Sequence, residues 1–194
     1  MRSLAYVSPY AWVFWAAFLF AYVPEFLLIA RAKPVSGQNA DRGSMNLIVF
    51  MGWIAFPVAF GVSNFPRFIL ATGQKIWFAA GITLLLLGSW LRRHCFRTLG
   101  RFFTANVKVT DGQTVIQKGG YRLVRHPSYT GGMLMYVGTG LGLTNWLSAL
   151  ILAIFGGAGY AYRVRVEEQA LIGALGEPYI DYMRRTKRFI PFVF

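Results

Sequence analysis

Hydrophobic positions fall into five runs, at residues 10–30, 45–64, 76–91, 129–143 and 146–162, separated by polar and basic stretches. A helix rises about 1.5 Å per residue, so about 20 apolar residues cross a hydrocarbon core of roughly 30 Å. The first two runs meet that length. The last three are shorter, and the pattern predicts that they lengthen at their basic ends, where Arg92 and Arg165 snorkel to the headgroups. The first run is long and lacks a small-residue cleavage site, which argues against a removable signal peptide. The pattern therefore predicts an all-α integral membrane protein with about five transmembrane helices. Pro24 and Glu25 interrupt the first helix and Pro57 the second, and both helices read as scaffold. Glu25, near a helix end, is expected to reach the interface or pair with a basic neighbour.

Between the runs the pattern changes. Residues 38–43 read as a loose polar turn. A basic, largely extramembranous stretch runs from Arg92 to Arg125. Within it, residues 107–110 and 113–116 flank Asp111 and Gly112, a common two-residue turn, and predict a short cytoplasmic β-hairpin. Thr144 and Asn145 alone join the fourth and fifth runs, which predicts a tight antiparallel helix pair, with glycines at 131, 132, 138, 140 and 142 and at 156, 157 and 159 allowing close backbone approach. Residues 138–142 alternate Gly as a nucleotide loop does, but they lie in an apolar helix with no preceding strand, so packing is the better reading. The fifth helix continues as an amphipathic segment to Leu175. Gly176 ends it and Pro178 starts a last helix to about Lys187, giving C-terminal amphipathic helices before residues 189–194 tuck back against the membrane domain.

Composition agrees with a membrane protein: 194 residues, 56% hydrophobic and 14% charged. The excess of 20 Lys and Arg over 7 Asp and Glu invites a nucleic-acid reading, but the basic residues sort by membrane side. They number 1 before the first helix, 3 after it, 2 after the second, 8 after the third, none after the fourth and 6 in the tail, so alternate segments hold 17 against 3. The positive-inside rule then places the N-terminus outside and the C-terminus in the cytoplasm. Arg184, Arg185, Lys187 and Arg188 would also attract anionic lipid, at about 1 kcal/mol each. Membrane lipids are thus the partners indicated, with no nucleic acid and no partner protein. The single cysteine, Cys95, excludes an internal disulfide and a cysteine metal cluster, and no metal is expected.

Candidate chemistry gathers at the ends of the fourth and fifth helices. His126, Pro127, Ser128 and Tyr129 place a proline at a helix start, where outward amides attract anions; the same residues also suit an ordinary capped start with an interfacial tyrosine. Arg163 and Glu167, four apart, share one helix face and suit either a plain salt bridge or a shared ligand.

Together, Arg125, His126, Pro127, Ser128, Tyr129, Thr130 and Gly131, an apolar hairpin, Arg163 with Glu167, Glu168 and Leu171, then Gly176 with Tyr179 and Tyr182, resemble the isoprenylcysteine carboxyl methyltransferase family. The resemblance covers roughly residues 107–191 and rests on several motifs in the right order around a short helix pair. It implies a membrane enzyme that moves a methyl group from S-adenosylmethionine to the carboxylate of a prenylated cysteine or similar lipophilic acid, leaving S-adenosylhomocysteine. By the resemblance, the cofactor contacts Gln113, Thr114, Val115, Ile116, Tyr121, His126, Pro127, Ser128, Tyr129 and Glu167. Arg163 holds the acceptor carboxylate and, with Glu167, forms the catalytic pair; Asn106 is a weaker match. Residues 1–194 then form a single membrane methyltransferase domain, with 1–98 mainly scaffold and 99–194 the cofactor-binding and catalytic half facing the cytoplasm.

The alternative readings are a phospholipid N-methyltransferase, which shares the His-Pro and Glu-Glu signatures, a sterol-reductase-like enzyme using NADPH, and a non-catalytic membrane scaffold or small transporter. A transporter is disfavoured because the helices carry hardly any ionisable residue near their midpoints.

Overall fold

The computed structural model describes residues 2–30, 38–109 and 112–190. Six α-helices are present among them: α1 Tyr10–Ala30, α2 Ser44–Val62, α3 Gln74–Leu99, α4 Pro127–Gly142, α5 Trp146–Leu175 and α6 Glu177–Arg185. Their order and bounds follow the apolar runs, and α1 and α2 continue through Pro24 and Pro57. Four of them, α1, α2, α3 and α5, are long and apolar enough to cross a membrane. Trp12, Phe26, Phe50 and Trp53 stand outward, as lipid-facing side chains do. The fifth predicted span, α4, has 16 residues, about 24 Å at 1.5 Å per residue, which is short of a full hydrocarbon core.

Instead of relying on length, α4 is wedged between α3 and α5 by its glycines. A Cβ on Gly138 would lie 2.5 Å from the Leu85 amide nitrogen, and one on Gly131 would lie 2.8 Å from the Gly88 carbonyl, both on α3. On the opposite side Gly140 abuts Ala149 of α5, where a Cβ would come within 2.2 Å of the backbone. The predicted glycine contact between α4 and α5 is therefore half of the arrangement. The glycines at 131 and 138 serve α3, and a Cβ on Gly142 would meet the Phe14 ring of α1 at 3.0 Å, neither of which the spacing alone revealed. Buried apolar side chains fill the gaps, with Leu85 and Met135 between α3 and α4 and Leu152 against Ala55 and Ala59 of α2.

At one end of the bundle the N-terminus closes over the α4–α5 turn. The Ser3 hydroxyl donates to the Leu143 carbonyl at 2.5 Å, and the Asn145 side chain caps α5 by accepting the Ser148 amide at 2.9 Å. The other end carries the polar segments. There β1, Gln38–Asn39, pairs antiparallel with β2, Lys108–Val109. This corrects the predicted hairpin. Residues 113–116 form no strand, while Thr110 of the expected first strand and Asp111 of the expected turn lie outside the described residues. The physical reason is the connection at 38–43, which is ordered rather than loose: the Ala40 amide donates to the Val107 carbonyl at 3.0 Å, and the Asp41 carboxylate accepts the Val107 amide at 3.0 Å. That gives residues 107–109 a partner distant in sequence.

A second correction concerns Arg92. It does not snorkel, because α3 runs on for seven residues beyond it. Its guanidinium is buried against Glu25 in a two-pronged ion pair and donates to the Ser128 carbonyl at 3.0 Å. Glu25 thus takes the basic partner expected for it. The chain after α6 returns to the start of α4, where the Arg125 and His126 amides donate to the carbonyls of Lys187 and Arg188 at 2.8 and 2.9 Å. The expected return of the tail is seen at Phe189, whose carbonyl accepts the Thr130 hydroxyl at 2.9 Å; Ile190 is exposed, and 191–194 lie outside the described residues.

Candidate active site

Pro127 opens α4, where its fixed φ and missing N–H cost nothing. The His126 carbonyl accepts the amides of Tyr129 and Thr130 at 3.0 and 3.2 Å. Those donors are therefore already engaged, and the helix start offers fewer outward amides than the motif suggests.

Tyr129 is the hinge of the arrangement. Its hydroxyl donates to Glu167 Oε2 at 2.7 Å and accepts from Arg163 Nε at 3.0 Å. The two α5 residues thus communicate through a phenol, and no direct Arg163–Glu167 ion pair forms among the described residues. Arg163, 6% exposed, turns its Nη1 toward Asp41 Oδ1 at 3.1 Å and the Ser44 hydroxyl at 3.2 Å, while Nη2 donates to the Ala105 carbonyl at 2.5 Å. Charge and fork geometry are both satisfied, as burial of a guanidinium requires.

Asp41, 7% exposed, also accepts the Ser44 hydroxyl at 2.9 Å and the Met45 amide at 3.1 Å. Burial alone would push its carboxyl up. The Val107 and Met45 amides, the Ser44 hydroxyl and the Arg163 charge outweigh that and hold it below the ordinary carboxylate range.

Glu168 follows Glu167 in sequence but points elsewhere, because successive helical residues are about 100° apart. It accepts from Arg125 Nε at 2.9 Å and Arg188 Nη2 at 2.7 Å and lies 3.3 Å from His126 Nε2. It pins the returning chain to the start of α4.

Tyr129, Arg163 and Glu167 border a cavity of about 410 Å³, within the range of about 300–1,000 Å³ common for ligand sites. Of the predicted residues, Gln113, Tyr121, His126, Ser128, Tyr129, Arg163 and Glu167 line it, as does Asn106. Pro127, Thr114, Val115 and Ile116 do not: Pro127 only sets the helix start, and the other three lie in a segment that is neither helix nor strand. Burial raises the Tyr121 phenol well above its ordinary range, so it stays a neutral donor. Much of the remaining lining is apolar: Phe26, Ile29 and Ile48 come from the same end of the bundle as Glu25 and Ser44, and Phe18, Phe56 and Met135 lie deeper along α1, α2 and α4. Phe26 is at once a lining residue and largely exposed, so the cavity reaches the surface beside α1.

Asp41, the Arg92–Glu25 pair and the role of Glu168 were not read from the motifs. For Asp41 the available signal was scarcity: with 7 acids against 20 bases, an acid in a polar connection is a candidate partner for a buried arginine.

Residues 76–177 match the Phospholipid methyltransferase family. Protein-S-isoprenylcysteine O-methyltransferase B of Arabidopsis thaliana is 35% identical over 183 residues, covering 91% of this chain and 90% of its own length. The A form from the same plant is 33% identical over 181 residues, at 90% and 89% coverage. The chain belongs to the isoprenylcysteine carboxyl methyltransferase family. A solved eukaryotic intramembrane Ras methyltransferase, an isoprenylcysteine carboxyl methyltransferase, shares its fold at a TM-score of 0.67 and 24% identity, covering 98% of this chain and 70% of that one. Family membership and four membrane-length helices make the protein an integral membrane methyltransferase, and the activity of such a family implies a methyl donor.

Proposed function

We propose that this protein uses S-adenosylmethionine to methyl-esterify the carboxylate of a prenylated cysteine or a similar lipophilic acid, at a site facing the cytoplasm. The observation that carries this reading is a single cavity that joins polar groups, Arg163 and Glu167, to an apolar lining that includes the surface-exposed Phe26 of α1. A substrate that is a carboxylate at one end and a hydrocarbon at the other fits such a cavity. The names of the plant relatives support the same acceptor.

The residues also suit the cofactor. It is zwitterionic, and the polar part of the lining offers a carboxylate in Glu167, a neutral phenol in Tyr121 and the amide side chain of Gln113. When bound, it supplies a methyl group already activated on sulfonium. A carboxylate is ionised at neutral pH, so attack by its oxygen forms the C–O bond as the S–C bond breaks, and no proton need be moved. What this chain contributes is position. The acceptor takes the Arg163 Nη2 donor now held by the Ala105 carbonyl, because a carboxylate brings a full negative charge to the guanidinium where a carbonyl brings only a dipole. Tyr129 keeps Nε and Glu167 in register meanwhile.

Membranes containing the protein, supplied with methyl-labelled cofactor and a farnesylated cysteine derivative, should yield a labelled product that releases methanol in alkali. A base-stable product in the phospholipid fraction would overturn the proposal and favour N-methylation, the reading closest to the description of the matched family.

A further inference from the structure

Asp41 lies outside the cavity lining, yet it fastens three of the elements that form the cavity. Its Oδ2 accepts the Met45 amide at the start of α2, its Oδ1 accepts the Val107 amide from the 104–109 segment that roofs the polar groups, and Oδ1 also accepts Arg163 Nη1 from α5. Each contact is 3.0 or 3.1 Å long. The Ser44 hydroxyl sits between the partners, donating to Asp41 and accepting from Arg163. The Nη1 side of the guanidinium is therefore held from behind. Nη2 and Nε bond to the Ala105 carbonyl and the Tyr129 hydroxyl, groups of residues that themselves line the cavity.

An arginine side chain has four rotatable bonds, and a fork clamped at one end is pre-organised at the other. We infer that Asp41 is a positioning residue for the acceptor: it fixes the rear of the Arg163 guanidinium and ties the roof segment to it, so that the cavity-facing donors meet a carboxylate in one geometry. This inference rests on the reading that Arg163 receives the acceptor carboxylate. It adds that an acid in the α1–α2 connection, far from the motifs in sequence, determines how well that acceptor is bound. Asp41 does not itself touch the acceptor.

The test separates acceptor from cofactor. In Asp41→Asn the KM for the farnesylated cysteine derivative should rise at least tenfold, with kcat within threefold and the affinity for S-adenosylhomocysteine within twofold of the parent protein. In an Arg163→Lys background, which has no fork to position, the same change should alter the acceptor KM less than twofold. Where Asp41→Asn fails to fold, Asp41→Glu keeps the charge but moves the carboxylate by one methylene, and should still raise the acceptor KM at least threefold with cofactor affinity unchanged. An unchanged acceptor KM overturns the inference. So does a parallel loss of acceptor and cofactor binding, which marks a merely structural residue, and so does a fall in KM, which would make Asp41 a competitor for Arg163. If the parent protein forms no methyl ester, the proposed function fails instead, a result distinct from any of these.

Discussion

Glu167 and Glu168 are neighbours of one type, and the helix sends them to different tasks. The Glu167 side chain is 30% exposed, borders the cavity and accepts from the Tyr129 hydroxyl. That of Glu168 is 5% exposed and engages Arg125 and Arg188. Glu167→Gln should therefore lower affinity for S-adenosylhomocysteine by about 1.5–3 kcal/mol, the usual weight of a hydrogen bond to a charged group, and leave melting little changed. Glu168→Gln should do the reverse and cost about 3 kcal/mol of stability. That is the low end for breaking a buried ion pair, because Arg188 is 40% exposed and partly screened. Calorimetry with S-adenosylhomocysteine, run beside thermal melts in detergent, distinguishes the two; equal affinity in Glu167→Gln and the parent removes the cofactor role of Glu167. The acidic pair was legible in the sequence, and so was the shared face of Arg163 and Glu167. The phenol between them was not, since periodicity places side chains on a face without saying which third group lies between them. Asp41 was illegible for a related reason: its partners Val107 and Arg163 lie 66 and 122 residues away, beyond any local pattern.

The apolar runs located the helices because a span must satisfy its own backbone hydrogen bonds in lipid, which leaves a length and composition signature in the chain. They said less about neighbours. In a bilayer, helix association depends on close packing of small residues, and a glycine reads the same whichever helix it faces. The structure resolves this into two glycine faces on α4. Gly138→Ala puts a methyl group 2.5 Å from the Leu85 nitrogen and 2.8 Å from the Gly81 carbonyl, backbone that can yield only if α3 and α4 separate. Gly157→Ala on α5 meets no atom closer than the Met133 methyl at 3.8 Å. The first change should destabilise the detergent-solubilised protein by about 1–3 kcal/mol, as overpacking does. The second should be neutral or stabilising by up to about 1 kcal/mol, since alanine favours a helix over glycine. Parallel melts decide it, and an equal response of the two variants would mean that α4 is not held against α3 by close backbone contact. The β-hairpin was misread at this same scale, because a turn-like pair of residues carries weight only when no better strand partner waits across the bundle.

The whole molecule is polarised. One end gathers the N-terminus, the segment around Ile69 and the α4–α5 turn, joined by the Leu70 amide on the Thr144 carbonyl at 2.9 Å and by Gln74 Nε2 on the Arg2 carbonyl at 2.8 Å. Arg2, Arg67 and Lys75 are the basic residues of these segments. The opposite end gathers the start of α2, the 104–109 segment, the start of α4 and the returning tail around Arg163, Asp41 and Glu168. The other 15 basic residues among the described ones belong to the segments that meet there. The division counted along the chain is thus reproduced by the packing: two sets of connections lie at two ends, whether or not the short α4 crosses the full core. Basic residues near short loops resist translocation, so the site end should face the cytoplasm. Single cysteines at the exposed positions Gln117 and Asp181 should label only from the cytoplasmic side, and one at exposed Arg67 only from the other, with the buried Cys95 contributing little background. The same orientation puts the polar groups of the cavity where a water-soluble cofactor can enter and leaves the apolar lining around Phe26 to be reached from the bilayer. Labelling of Gln117 or Asp181 from outside would reverse the molecule, and with it the side from which the cofactor must come.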